Sequence, residues 1–256
     1  MRKSKVLAKL RDGGQVRICG LGHFVPPYIR HAAHAGYDCI WLDGEHRAFD
    51  DREIQAMQAF FHLFNIDCMF RAPTLEKTRL YRYLEDGVTG LMIPHVSTPE
   101  KAQMLVDSVK FPPLGDRGVD AAGLDSDFYL QGGPDYYEEA NRETFLVVQI
   151  ETPQAMENLE AIASIEGIDG LFVGPGDLGL RIDRYKPGYT LDEAMQRVAD
   201  VASEKGKAWG CPGGSVERVQ QLYDMGAQLI SHGSEFIASL NMLEQCSKEL
   251  DQIYGE

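Results

Sequence analysis

Short apolar runs recur along the chain, each ending on a polar tip and followed by a stretch with helical spacing. The runs are "VRICGLG" (16–22), "DCIWLDG" (38–44), "DCMFRAP" (67–73), "GLMIPHV" (90–96), "FLVVQIET" (145–152), "DGLFVGP" (169–175), "KAWGCPGG" (207–214) and "AQLISHGS" (227–234), eight in all. Between them lie amphipathic stretches such as "DDREIQAMQAFFHLF", "TPEKAQMLVDSVK", "TPQAMENLEAIAS" and "LDEAMQRVADVASEKG". Several of these open on Asp, Thr or Ser ahead of Pro or Glu, residues that answer or dispense with the free N–H groups of a first helical turn. Strands that are apolar along their whole length are buried on both faces, which requires parallel strands covered by helices. Eight such βα units in 256 residues predict a (β/α)8 TIM barrel rather than an open doubly wound sheet, in a single domain spanning 1–256.

One segment breaks the rhythm. Residues 111–143, "FPPLGDRGVDAAGLDSDFYLQGGPDYYEEANRE", are rich in Gly, Pro, Asp and Tyr. A connection this long is usually functional or flexible. It is expected to border the barrel mouth, with Tyr129, Tyr136 and Tyr137 contributing to specificity. The last helical stretch, "EFIASLNMLEQCSKELDQIYG", carries Leu and Met along one stripe, suited to packing on its own barrel or on a partner subunit.

Composition narrows the function classes. A net charge of −14 disfavours nucleic acid and anionic membranes as partners, because phosphate binding needs a cationic face. No apolar run approaches a membrane span, and "MRKSKVLAKLRDGG" lacks the apolar stretch of a signal peptide. The five cysteines form neither a CxxC pair nor a disulfide framework, so a reducing cytoplasm is the expected setting.

In a barrel of this kind the working residues stand where strands end and βα loops begin. Those points offer His23; Asp43, Glu45 and His46; Arg71; His95; Gln149, Glu151 and Thr152; Asp177 in "GPGD"; Cys211; and His232, Ser234 and Glu235. Glu151 and Asp177 fall on successive strands, which lie ~4.8 Å apart, so the two carboxylates can converge on one cation. Oxygen ligands with room for water or substrate suit Mg2+ or Mn2+. Each alone serves equally well as a helix cap; their adjacency favours the metal. Arg71 ends an apolar strand and needs an anion: either Asp43 or Glu151 in a structural ion pair, or a substrate carboxylate or developing oxyanion. His46, flanked by Asp43 and Glu45, is placed to act as a general base. No strand end carries a lysine for Schiff-base chemistry, and no GxSxG elbow, Walker-type loop or GxGxxG turn is present.

Taken together, "LDGEH", the "FRAP" strand end, "PPLGDRGV", "VQIET" and "DGLFVGPGDLG" resemble the metal-dependent HpcH/HpaI aldolases, in collinear order over roughly residues 15–235. The resemblance implies a barrel that exchanges its last helix between subunits of a homo-oligomer, a hexamer. It implies reversible cleavage of a 4-hydroxy-2-oxo acid to pyruvate and an aldehyde through a metal-stabilised enolate. It also assigns His46 as base, Arg71 as oxyanion stabiliser, and Glu151 and Asp177 as ligands of Mg2+, Mn2+ or Co2+. Gln149 and the Gly174, Pro175, Gly176 and Asp177 turn would contact substrate, with Asp43 beside the base. An acid supplied across a subunit interface would support His46; that role falls to Glu85, or alternatively Asp86. The chain departs from the family pattern at Gly179, where Ser is common, and at His23, His95 and His232, which either fill a polar mouth or alter recognition of the aldehyde. Two rivals remain: a metal-dependent decarboxylase or enolate-transfer enzyme acting on 2-oxo diacids, and a non-catalytic oxo-acid binder.

Overall fold

In the computed structural model, which describes residues 1–255, all eight expected strands form. They are β1 (Val16–Leu21), β2 (Cys39–Asp43), β3 (Asp67–Arg71), β4 (Gly90–Ile93), β5 (Phe145–Ile150), β6 (Gly170–Val173), β7 (Ala208–Pro212) and β8 (Leu229–Ser234). They close into a barrel in sequence order, all pairs parallel, with β8 returning to β1. Successive side chains on a strand point to opposite faces. Val16, Ile18, Cys39, Met69, Met92, Val147 and Phe172 accordingly fill the interior. Ile40, Cys68, Leu91, Val148 and Leu171 meet the surrounding helices.

The N-terminal helix Lys5–Arg11 packs Val6 and Leu7 into the interior cluster, so the barrel is closed at the N-terminal ends of its strands. Asp67, at the start of β3, fastens it there, accepting from the Ser4 hydroxyl at 2.7 Å and the Val6 N–H at 2.9 Å. The predicted caps are present: Asp50 and Glu53 form a reciprocal capping box on helix Asp51–Leu63, and Thr98 and Thr152, each ahead of a proline, accept the Lys101 and Ala155 N–H groups. Thr190, which the stretch from Leu191 left out, makes a second capping box with Glu193. The stretch "TPQAMENLEAIAS" forms two short helices, Pro153–Glu157 and Leu159–Ala163, which meet at Asn158, whose side-chain amide donates to the Ser97 carbonyl at 2.9 Å.

Segment 111–143 does not border the mouth as expected. It joins the C-terminus of helix Pro99–Val109 to the start of β5, both at the closed end of the barrel. Phe111, Tyr136 and Ala140 form a small core against Met1 and Ala121, and Arg117 is buried beside Glu85 and Asp125. Tyr136 donates to Asp125 at 2.6 Å, which ties this tyrosine to the far end from the mouth.

Helix Glu235–Tyr254 leaves the barrel. Only Glu235 is buried; Ile237, Leu240, Leu243 and Ile253 are exposed, the last at 77%. Outside β1 and β8, where a covering helix would lie, a groove of about 600 Å³ is lined by Val16, Ile18, Tyr37, Val219, Tyr223 and Ile230. Among the described residues no helix is long and apolar enough to cross a membrane.

Candidate active site

At the open end of the barrel the interior parity of the strands continues into polar residues. Trp41 and Phe172 meet edge to face with centroids 5.5 Å apart and form a floor. Above it, one inward step further along their strands, come Asp43, Arg71 and Glu151; Gln149 is buried on the same face of β5.

Strand register sets Asp43 directly beside Arg71. Arg71 donates from Nε to Asp43 Oδ1 at 2.9 Å, and its Nη2 lies 2.8 Å from Oδ2, a two-pronged pair. Its Nη1 meets Glu45 Oε2 at 3.0 Å, and the guanidinium lies 4.6 Å from the Trp41 ring. Burial raises the Asp43 carboxyl, but the Arg71 hydrogen bonds and charge outweigh it and hold the group below the usual carboxylate range. Asp43 also accepts the Glu45 and His46 amides, which fixes the loop carrying the candidate base. The His46 ring is half exposed, its Nε2 3.6 Å from Glu45 Oε2.

On the other side of the mouth Glu151 is 3% exposed. Its Oε1 accepts the His95 N–H at 2.6 Å and lies 3.1 Å from His95 Nδ1. His95 adopts the left-handed conformation, φ +54°, which is strained for a residue with a side chain and aims both groups at one oxygen. Lys101 holds the loop by donating to the His95 carbonyl at 2.8 Å, and burial lowers its ammonium. Burial is likewise the main reason the Glu151 carboxyl is raised; the His95 amide and ring oppose this, while the charges of Asp177 and Glu45 add to it. Gly174 lies so close that a Cβ there would stand 2.3 Å from Glu151 Oε2, so only glycine leaves this carboxylate its place.

Gly174, Pro175, Gly176 and Asp177 form the cap and first turn of helix Pro175–Tyr185. Asp177 is paired with Arg181 one turn on, whose hydrogen bond lowers its carboxyl. Among the described residues no group of three or more His, Cys, Asp or Glu is arranged to hold a metal. The donor set nonetheless fits a hard divalent cation. Glu151 and Asp177 repel each other, the Glu151 cradle excludes a side chain, and Gln149 Oε1 is buried with no partner among the described residues. Two carboxylates leave most of a six-coordinate shell to water and substrate.

Three sequence-level candidates lie elsewhere. Glu85 ends helix Lys77–Glu85, at the closed end of the barrel, 4.0 Å from Arg117; burial pushes its carboxyl up to about 7. Within one chain it does not meet His46. Asp86 is held by Gln55 at 2.7 Å. His232 has the outward parity on β8 and lines the outer groove, not the mouth. His23 stays at the mouth, its Nδ1 3.1 Å from Glu235 Oε1.

Sequence reasoning placed Glu45 only as an acid flanking His46, and gave no role to Trp41, Lys101 or Arg181. Glu45 joins the two halves of the site, its Oε1 3.6 Å from His95 Nε2 and its Oε2 on Arg71. Its place inside "LDGEH" was the available signal.

The HpcH/HpaI aldolase/citrate lyase family profile matches residues 21–241. A hydroxypyruvate/pyruvate aldolase of Deinococcus radiodurans is 32% identical over 228 residues, covering 86% of this chain and 80% of its own. A 4-hydroxy-2-oxovalerate aldolase of Novosphingobium aromaticivorans is 33% identical over 231 residues, covering 88% and 86%. The crystal structure of an HpcH/HpaI aldolase from Desulfitobacterium hafniense superposes with a TM-score of 0.88 at 27% identity, covering 95% of each chain.

Proposed function

The chain belongs to the HpcH/HpaI aldolase/citrate lyase family, and we propose that it is a divalent-metal-dependent aldolase cleaving a 4-hydroxy-2-oxo acid reversibly to pyruvate and an aldehyde. The observation that carries this reading is the bridge made by Glu45. One of its oxygens lies 3.0 Å from Arg71 and the other 3.6 Å from His95, so the Asp43–Arg71 pair and the Glu151–His95 pair border one opening.

Glu151 and Asp177 would hold the cation, Mg2+, Mn2+ or Co2+. When bound, it supplies Lewis-acid polarisation of the oxo acid. His46, half exposed at the rim, takes the proton of the 4-hydroxyl group. The C4–O bond becomes a carbonyl, the C3–C4 bond breaks, and its electron pair passes into an enolate that takes a proton at C3 to become pyruvate. Arg71, fixed by Asp43 and Trp41, keeps donors for the oxygen on which that charge develops. In the synthetic direction, C3 of the enolate adds to the aldehyde carbon and His46 returns the proton. Gln149, buried beside Glu151, orients the oxo acid.

Glu85 can assist His46 only from a neighbouring subunit, and we assign it that role. The exposed apolar helix Glu235–Tyr254 and the open groove over β1 and β8 suit an exchange of this helix between copies, within a homo-oligomer that we take to be a hexamer of single-domain chains. Four buried, unpaired cysteines fit a cytoplasmic setting.

The test is pyruvate release from 4-hydroxy-2-oxo acids with Mg2+, Mn2+ or Co2+, before and after EDTA. Metal-dependent release supports the aldolase. Release that survives metal removal refutes it, as does decarboxylation of oxaloacetate without any aldol product.

A further inference from the structure

Glu235, the first residue after β8, has no part in the chemistry above. It is 8% exposed. Its Oε1 accepts the Gly22 N–H and lies 3.1 Å from His23 Nδ1, while its Oε2 is buried with no partner among the described residues. A carboxylate oxygen left in this state is costly unless a donor arrives from outside the chain.

Glu235 lines a cavity of about 170 Å³ that also touches Trp41, Asp43 and Arg71, so this cavity is continuous with the oxyanion clamp. It lies on the β1–β2–β8 side of the mouth, whereas Glu151 and Asp177 belong to β5 and to the helix after β6. Gly22 gives the space its shape: a Cβ there would stand 2.9 Å from the Phe236 ring and 3.0 Å from Arg47 Nε. Arg47 covers the rim, 4.8 Å from the Phe236 ring, and donates to the His46 carbonyl at 2.8 Å. Asp43 already spends both oxygens on Arg71, so Glu235 Oε2 is the uncommitted carboxylate oxygen beside this cavity.

We propose that this cavity is the aldehyde subsite and that Glu235 accepts a hydrogen bond from a hydroxyl on the aldehyde fragment, which makes the enzyme selective for short hydroxyaldehydes. The inference rests on the aldolase reading above. Size agrees with it. At ~30 Å³ per water-sized group, the cavity holds roughly five or six such groups. That suits a two- or three-carbon hydroxyaldehyde. An aldehyde bearing a carboxylate would be larger than this space, and although Arg47 and Arg71 also line it, that charge would displace the hydroxyl donor that Glu235 Oε2 lacks.

The experiment measures kcat/KM for aldol addition of pyruvate to four aldehydes by the intact metal-loaded enzyme. They are glycolaldehyde, its isostere propanal, 2-methoxyacetaldehyde (which keeps the oxygen without the donor) and succinic semialdehyde. Glycolaldehyde is expected to exceed propanal and 2-methoxyacetaldehyde at least tenfold, the range of a hydrogen bond to a buried charge. In Glu235→Gln, which keeps an acceptor for Gly22 but turns a donor to the cavity, the glycolaldehyde-to-propanal ratio should fall at least tenfold. Equal use of glycolaldehyde and propanal by the wild type overturns the proposal, as does preference for succinic semialdehyde or an unchanged ratio in the variant. The wild-type panel decides even where the variant does not fold. Deuterium exchange at pyruvate C3 in D2O reports on the enolate half alone. Its absence removes the aldolase reading and this subsite with it; exchange without aldehyde discrimination removes the subsite only.

Discussion

Arg71 reaches Asp43 through two nitrogens, Nε at 2.9 Å and Nη2 at 2.8 Å, so the guanidinium plane is set before any substrate arrives. Asp43→Asn removes the charge that holds it. Breaking a largely buried pair costs about 3 kcal/mol. The Asp43 carboxyl titrates lower in the folded chain than in the unfolded one. Its stabilisation is therefore complete above the unfolded value, near ~4, and is lost as pH falls through the lower folded value. Urea unfolding at pH 7 should separate wild type from variant clearly, and the gap should narrow towards pH 3.

Glu151 gives the opposite sign. Its raised carboxyl means that ionising it in place destabilises the metal-free protein. This cost is absent below the unfolded value of ~4.3 and grows as pH rises through the folded one. Metal-free Glu151→Gln should melt above the wild type at pH 8 and match it in acid. Added Mn2+ should raise the melting temperature of the wild type only; a metal-induced rise in the variant would remove Glu151 from the ligand set.

The His46 ring is half exposed, its Nε2 3.6 Å from Glu45 Oε2. His46→Ala should lower kcat by about 10²–10⁴, the usual worth of a positioned base. Metal affinity by calorimetry should stay within a few-fold of wild type. Weakened metal binding would show that the histidine is a ligand instead.

Leu240 and Leu243 are 52% and 69% exposed on the last helix of a single chain. Replacing both by Asp should reduce the particle mass in sedimentation and lower the melting temperature by several degrees. Were this helix simply solvated, surface changes of this type would move stability by no more than about 0.5 kcal/mol and leave the mass alone.

The eight strands were legible because most are apolar along their length, and the caps at Asp50, Thr98 and Thr152 marked helix starts within a residue. The mouth residues were legible for the same reason: a strand end is easy to see. Partner choice was not. Arg71 had Asp43 or Glu151 as its expected partners, and barrel register decides for Asp43, with Glu45 joining from the loop beyond β2. Strand parity was in the sequence and would have turned His232 outward, since Leu229 faces the interior. Glu85 needed a count along its helix: eight residues from Lys77 at ~1.5 Å each carry it about 12 Å from the mouth. The course of 111–143 follows from its being an αβ connection, which starts and finishes at the closed end however long it is.

Val6 and Leu7 stopper the cylinder from below. With Glu151 and Gln149 sunk to 3% and 1% exposure and His46, which meets the carbon that becomes the aldehyde, half exposed at the rim, both products of cleavage share one doorway. The fragment nearer the threshold must depart before the deeper one can follow, so the aldehyde leaves first and the three-carbon acid last. Such a queue makes free pyruvate compete directly with the hydroxy-oxo acid, while the aldehyde inhibits only by re-entering behind it.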